Sequence, residues 1–350
     1  MERKLASIQK VVDLAPIEGR DRIVLATVEG WKVIVKKDEF KIGDLCVYVE
    51  IDSVLPEKPE FEFMRSKNFR VRTMKMAGVY SQGIVFPMSI LPSGNYKEGD
   101  DVTAILGIVK YDEYAGEEPV RVSRKPKYNK LQLFWYKLFG FPQRKKGGFT
   151  SLVSKTDEVR IQNIPEVLKY KEPVIVTQKI DGMSGTYTIE RTFFGTKFNV
   201  YSRNLRVGKD NSAYWRIAEM YDLEDRMNLM LDELGVNWIA IQGEIAGPGI
   251  QKNPDGLKDI EFFVFNIITP KGRWGTQEMA KFCYKYGLGT VPILNLDYVL
   301  PDTVDNVLRY ATGPSMLNPQ VLREGVVIRS KDGKQSFKAV SPEYLVKHGK

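Results

Sequence analysis

Val174-Ile-Val-Thr-Gln-Lys179-Ile-Asp181-Gly182 runs a β-branched apolar stretch into a turn, with a lysine at its end and a carboxylate two residues on. A lysine so placed can serve as a covalent nucleophile or a phosphate contact. Alone, Lys-x-Asp-Gly is weak, because four-residue patterns arise by chance. Three further apolar stretches carry chemistry. Ile241-Gln-Gly-Glu244 ends on a carboxylate and leads into the loop Ala246-Gly-Pro-Gly-Ile-Gln-Lys252. Arg323-Glu324-Gly325-Val-Val-Ile-Arg329 begins with another, and Ser336-Phe-Lys338-Ala-Val340 holds a lysine within a strand pattern. Singly, each reads as a solvated strand terminus; four in this order are specific.

What is missing narrows the chemistry. The single histidine is His348, so catalysis by Ser-His-Asp or Cys-His is excluded as a working reading. Metal chemistry must rest on carboxylates and water, which favours magnesium over zinc. The two cysteines, Cys46 and Cys283, form no zinc spacing and no disulfide framework, and a reducing intracellular compartment is the expectation. No apolar run approaches the roughly 18 residues of a membrane span. The first ten residues, Met1 to Lys10, lack the apolar core and cleavage site of a secretory signal.

The elements that must position these residues divide the chain of 350. The expected fold is α+β: an N-terminal OB-like β-barrel over residues 1–110, a connection over 111–150, and a mixed α+β domain over 151–350. In the first part, Arg22–Val28, Trp31–Lys36, Leu45–Ile51, Phe69–Met76, Gly83–Pro87 and Asp101–Leu106 read as short strands, with a hairpin at Glu29-Gly30. About five strands in 110 residues suit an OB-fold, a module that often binds oligonucleotides. In the last part, strands are expected at Pro173–Gln178, Phe198–Tyr201, Trp238–Gly243, Glu261–Ile268, Gly325–Arg329 and Ser336–Val340. Helices are expected over Tyr214–Leu234 and Thr276–Tyr286.

The net charge of +8 is localised. Nine basic residues and no acidic one lie between Arg121 and Lys146, and the remainder is nearly neutral. A solvated linker is the plain reading of such a run; contact with a phosphate backbone is the functional one. Within it, Leu131–Phe139 is too apolar for a free linker and reads as a packed helix.

The ordered constellation resembles the covalent nucleotidyltransferases, the superfamily of ligases and RNA capping enzymes. Lys179-Ile-Asp-Gly182 matches its motif I, Ser202-Arg203-Asn204 motif Ia, and Gly243-Glu244 motif III. Phe262-Phe-Val-Phe-Asn-Ile267 matches motif IIIa, Glu324–Ile328 motif IV, and the strand around Lys338 motif V. The Gly243–Lys252 stretch and Lys155–Asn163 are similar to the RNA ligase 2-like group, and an OB domain ahead of the module resembles RNA ligase family 5. DNA ligases and capping enzymes usually carry an OB domain after motif V, whereas twelve residues follow Lys338 here. NAD-dependent DNA ligases need four zinc-binding cysteines. One departure stands out: motif V usually offers Lys-x-Lys, but Ser336 holds its first position, with Lys334 on the same strand face as a substitute.

The resemblance implies an ATP-dependent RNA ligase. Lys179 would attack the α-phosphorus of ATP and form lysyl-AMP. AMP would pass to an RNA 5′-phosphate, and a 3′-hydroxyl would then close the break, as at a nick in a duplex. It further implies that Glu244 and Glu324 hold Mg2+ (or Mn2+), Lys338 contacts the α-phosphate, and Asp181 orients Lys179. Gln178 and Lys334 join the nucleotide contacts, and Arg160 takes the pyrophosphate end. Arg203 would meet the ribose or the RNA 5′-phosphate. Phe262 would stack on adenine, with Phe263 as alternative because neighbouring strand residues face opposite ways. The rivals are a capping-type guanylyltransferase or DNA ligase using the same lysine, and a catalytically inactive nucleic-acid-binding protein.

Overall fold

The computed structural model describes residues 3–111, 148–209, 212–333 and 335–350. The basic run Arg121–Lys146, the apolar stretch Leu131–Phe139 and Lys334 lie outside the described residues. The described chain forms two compact units, one from 3–111, 158–179 and 292–350, the other from 148–157 and 180–291. Among the described residues no helix is long and apolar enough to cross a membrane.

In the first unit, the OB part is built on a five-stranded antiparallel sheet. Its order is Trp31–Lys36, Arg20–Val28, Ala6–Ile17, Leu45–Val49, Ile84–Pro87. The hairpin turns at Glu29, whose φ is 52°. The central Ala6–Ile17 strand shows no two-residue alternation of burial at its start, where Ala6, Ser7, Ile8 and Gln9 are all buried. Its first half pairs with Leu45–Val49 and its second half with Arg20–Val28. The strand expected at Asp101–Leu106 is instead a helical turn over Thr103–Leu106. Asp101 accepts a hydrogen bond from the Thr103 amide at 2.9 Å, Thr103 Oγ1 accepts from the amides of Leu5 and Ala6, and Gly107 closes the turn. Side-chain hydrogen bonds thus override the β-branched composition.

The same unit holds a second sheet, ordered Val159–Arg160, Ser336–Val340, Gly325–Ser330, Val174–Lys179, Ile293–Tyr298. Val174, Val176, Val326, Ile328, Phe337 and Ala339 point to one side and pack with Val307, Leu308 and Ala311 of the Val304–Ala311 helix. Strand parity therefore sends Thr177, Lys179, Val327, Arg329 and Lys338 to the other side. Gly30 of the OB hairpin approaches Gln162 so closely that its amide donates to the Gln162 carbonyl at 2.9 Å.

In the second unit, six antiparallel strands run in the order Arg206–Val207, Gly195–Tyr201, Met183–Thr192, Trp238–Ala246, Glu261–Thr269, Gly272–Arg273. Tyr187, Ile189, Ile239, Ile241, Ile245, Phe262 and Val264 face the helices Ala213–Met220, Leu223–Leu234 and Thr276–Lys285. The single helix expected over Tyr214–Leu234 is broken in two, because Asp222 adopts φ 45° and starts a second helix.

Candidate active site

Lys179 is the last residue of its strand, opposite Gly325, the first residue of the next. Glu324 immediately precedes that glycine, and the Lys179 Nζ donates to Glu324 Oε2 at 2.6 Å. Lys338 sits on the same sheet face, opposite Val327, and Arg160 is its parallel-strand neighbour. At position 336, Ser336 Oγ donates to Glu158 Oε1 at 2.7 Å. Arg329 donates to both, from Nε to Ser336 at 3.1 Å and from Nη2 to Glu158 at 3.2 Å. The serine is thus part of a clasp that holds the start of the Val159–Arg160 strand. Gln178 faces the opposite way from Lys179. It is buried, donates to Ser315 Oγ at 2.7 Å and accepts from the Met316 amide at 2.7 Å, so its amide fastens the 314–317 loop.

Arg160 is almost wholly buried. Its Nη2 donates to Asp52 of the OB part at 3.1 Å, while Nε and Nη1 have no hydrogen-bond partner among the described residues. Trp31 lies beside it, 5.9 Å from ring centroid to guanidinium. The Trp31 indole donates to Asn163, which donates to Glu50 at 2.6 Å. Burial works to raise the Asp52 carboxyl, but Arg160, Arg3 and Arg70 overcome it and hold the group below the usual aspartate range. Glu29 at the hairpin turn goes the other way: burial, helped by Glu50 and Glu166, pushes it up to about 7.

The second unit carries the remaining candidates. Asp181 is buried, and Gly182 packs against the Glu244 strand. A Cβ on Gly182 would lie 2.3 Å from the Ile245 carbonyl oxygen and 2.9 Å from the Glu244 Cγ, so only glycine fits. Glu244 pairs with Ser184 on one side and Phe263 on the other, which places all three on one sheet face. Phe262 pairs with Ile245 on the opposite face and is core: 1% exposed, with its ring edge-on to Tyr187 at 5.1 Å. Phe263, itself only 6% exposed, lies on the Glu244 face, and Phe262 lies on the helix-covered face. Residues 148–157 run along that face, where Gln242 donates to the Ser154 carbonyl at 3.0 Å and Thr156 meets Ser184 at 2.7 Å. Arg203 is ion-paired with Asp157.

In the first unit, then, the fold brings Lys179, Glu324, Lys338 and Arg160 to one sheet. In the second, Asp181 and Glu244 flank Gly182 while Arg203 pairs with the 148–157 segment. Glu158, Asp52, Trp31 and Asn163 were not visible as functional residues, since each acts through a partner more than a hundred positions away. A buried guanidinium with spare N–H groups suits a phosphate ligand. Among the described residues no three His, Cys, Asp or Glu side chains gather into a metal cage. Single carboxylates at strand ends suit a hard cation that keeps most of its water and binds phosphate oxygens, as Mg2+ does.

An OB part, a lysine at a strand end, one glutamate just ahead of a strand and another within a strand are the features the sequence resemblance implies. An OB-fold domain family matches residues 5–88, and the RNA ligase family matches residues 172–340. The structure is similar to that of Naegleria gruberi RNA ligase with pyrophosphate, at a TM-score of 0.80 and 36% identity, covering 99% of each chain. A glutamate-to-alanine variant of that enzyme with ATP and manganese gives a TM-score of 0.82 at 34% identity, covering 99% of this chain and 100% of that one. Another such variant, with AMP and manganese, gives 0.80 at 34% identity, covering 99% of each. No curated protein sequence matches the chain. The chain belongs to the RNA ligase family, and its activity is ATP-dependent RNA ligation.

Proposed function

We propose that the chain seals nicks in duplex RNA, joining 3′-hydroxyl to 5′-phosphate, with Lys179 as the adenylated residue. The observation that carries this reading is the Lys179–Glu324 pair at 2.6 Å on the sheet face that also bears Lys338. Attack needs an uncharged amine, so Nζ must leave Glu324 and lose a proton. The Pα–N bond then forms as the Pα–O bond to pyrophosphate breaks. An RNA 5′-phosphate oxygen displaces Lys179 from phosphorus, and the 3′-hydroxyl displaces AMP. Each step spreads negative charge over phosphate oxygens, so positioning and cations dominate.

Lys338 contacts the α-phosphate, Arg160 the pyrophosphate end, and Arg203 the ribose or the RNA 5′-phosphate. Phe263 stacks on adenine, Asp181 orients Lys179, and Gln178 holds the loop beside the nucleotide. Lys334, outside the described residues, remains a nucleotide contact in this reading. Glu244 and Glu324 would hold Mg2+, or the Mn2+ seen with the relatives. When bound, the metal supplies Lewis-acid neutralisation of phosphate charge. The OB domain, residues 1–110, and the basic 111–150 connection engage the polynucleotide, while 151–350 carry the nucleotide chemistry. The buried thiols of Cys46 and Cys283, both pushed up to about 12 by burial, suit an intracellular reducing compartment.

The test is mass spectrometry of the chain after incubation with Mg2+ and ATP or GTP, with peptide mapping, followed by sealing of nicked RNA and DNA duplexes. An AMP adduct at Lys179 and sealing of nicked RNA are expected. A GMP adduct would make the chain a guanylyltransferase, and no adduct at all would make it a binding protein only.

A further inference from the structure

The Met183–Thr192 and Gly195–Tyr201 strands are joined by two phenylalanines. Thr192 pairs with Gly195, so Phe193 and Phe194 are the entire loop. They are 94% and 95% exposed. Two-residue hairpin loops ordinarily take Gly, Asn or Asp, whose backbones and side chains suit the turn. Two phenylalanines serve no such geometry, and each leaves a large apolar side chain in water. Their rings meet edge to face, with centroids 5.0 Å apart and planes at 84°, an arrangement that leaves ring faces open.

The residues of the loop itself do not repel a polyanion. Arg191 through Lys197 are all exposed and include two cations and no carboxylate. Arg191 is ion-paired with Asp232, and Glu190 stands opposite Lys197 in the ladder, so the two cations are balanced by two carboxylates. The tip lies ten strand residues from Met183, which follows the Lys179-Ile-Asp-Gly182 motif. At about 3.3 Å per residue that is roughly 30 Å along the strand.

We propose that the Phe193–Phe194 tip is a stacking contact for unpaired bases of the RNA substrate, remote from the bond being formed. The proposal rests on the RNA ligase reading, because it takes RNA as the ligand. Aromatic side chains hold single-stranded nucleic acid by stacking on base faces, which a paired helix keeps covered. A broad basic face beneath a wide apolar one would mark a lipid contact, and a two-residue tip has neither.

The experiment uses the full chain, the Phe193→Ser/Phe194→Ser double variant and the Phe193→Tyr/Phe194→Tyr variant. Affinity is read by fluorescence anisotropy on two labelled RNAs, a fully paired nicked duplex and one extended by about 12 unpaired nucleotides. Lysyl-AMP formation is measured alongside. The serine variant should bind the extended RNA about tenfold more weakly than the full chain does, bind the paired duplex equally well and form lysyl-AMP normally. The tyrosine variant should behave as the unaltered chain. Equal affinity of the serine variant for the extended RNA overturns the proposal. So does unchanged RNA binding with lost binding to phosphatidylserine vesicles, which would make the tip a membrane contact. Failure of the unaltered chain to form lysyl-AMP would sink the ligase assignment instead, and the anisotropy comparison would still decide the role of the tip.

Discussion

Lys179 Nζ and Glu324 Oε2 lie 2.6 Å apart, joined across neighbouring strands while the lysine side chain keeps about a quarter of its surface open. In the proposed reading, this carboxylate holds Lys179 at the end of its strand until a nucleotide arrives. Lys179→Ala should abolish the AMP adduct with the melting temperature little changed. Glu324→Gln, which keeps the shape and removes the charge, should slow adenylation by roughly 10²-fold or more. An adduct that persists in Lys179→Ala, mapped to Lys155 or Lys338, would overturn the assignment.

The two adjacent phenylalanines should separate cleanly. Phe263→Leu should raise the KM for ATP by roughly 5- to 100-fold through the lost base stacking. Phe262→Leu should leave that KM unchanged and lower the melting temperature, since its ring packs on Tyr187 in the core. Steady-state adenylation kinetics and thermal melts on both variants decide it; a KM effect confined to Phe262→Leu would refute the assignment.

Gly182→Ala tests the close packing against the Glu244 strand. The added methyl meets the Ile245 carbonyl oxygen at 2.3 Å, backbone that cannot swing aside. A loss of about 1–3 kcal/mol is expected, with a fall in adenylation as Glu244 is displaced. Gly208→Ala, whose Cβ meets nothing within 4 Å, is the control and should be silent. Equal denaturation midpoints for the two variants would remove this account.

Glu29 gives a pH dependence whose sign is fixed. Its native value of about 7 lies above the ordinary 4.5, so the native state holds the proton more tightly than the unfolded chain does. The stabilisation is complete below about pH 4.5 and is lost as pH rises to about 7; at ~1.4 kcal/mol per pH unit that span would give about 3.5 kcal/mol, which solvent screening of a half-buried carboxyl reduces to roughly 2 kcal/mol. Asp52, held low by its arginines, acts oppositely, losing its contribution only in acid. Glu29→Gln should therefore flatten the stability profile between pH 5 and 7 in urea titrations. An unaltered slope would show that another group is responsible.

Much of this was legible in the chain. The strands bearing Lys179 and Glu244 were readable because short apolar runs lead into charged residues, Lys338 sits within a short strand pattern, and their order carried the family. The N-terminal half of Ala6–Ile17 alternates apolar and polar residues, yet Ser7 and Gln9 are buried with Ala6 and Ile8, a burial that the residue types do not announce. Asp222 broke a helix whose apolar periodicity continued through it, since a left-handed residue leaves little trace in hydropathy. The choice between Phe262 and Phe263 could not be made from parity alone, because parity says that they differ and not which side the helices cover. Ser336 looked like a lost lysine, and only its contact with Glu158, 178 positions away, gives it a role.

The apolar cluster that gathers Trp31, Tyr48 and Val85 on the OB sheet also takes in Val340 and Leu345. A ribosome adding about 5–20 residues per second needs some 10–50 s to travel from Val85 to Val340. Throughout that interval the nascent OB strands are made but one side of their core has no cover. The core formed by Leu5 to Ile108 can close early, but this other face of the sheet is completed only when the C-terminal residues arrive. A stalled or prematurely terminated chain would present part of an apolar sheet face to chaperones rather than a finished OB sheet.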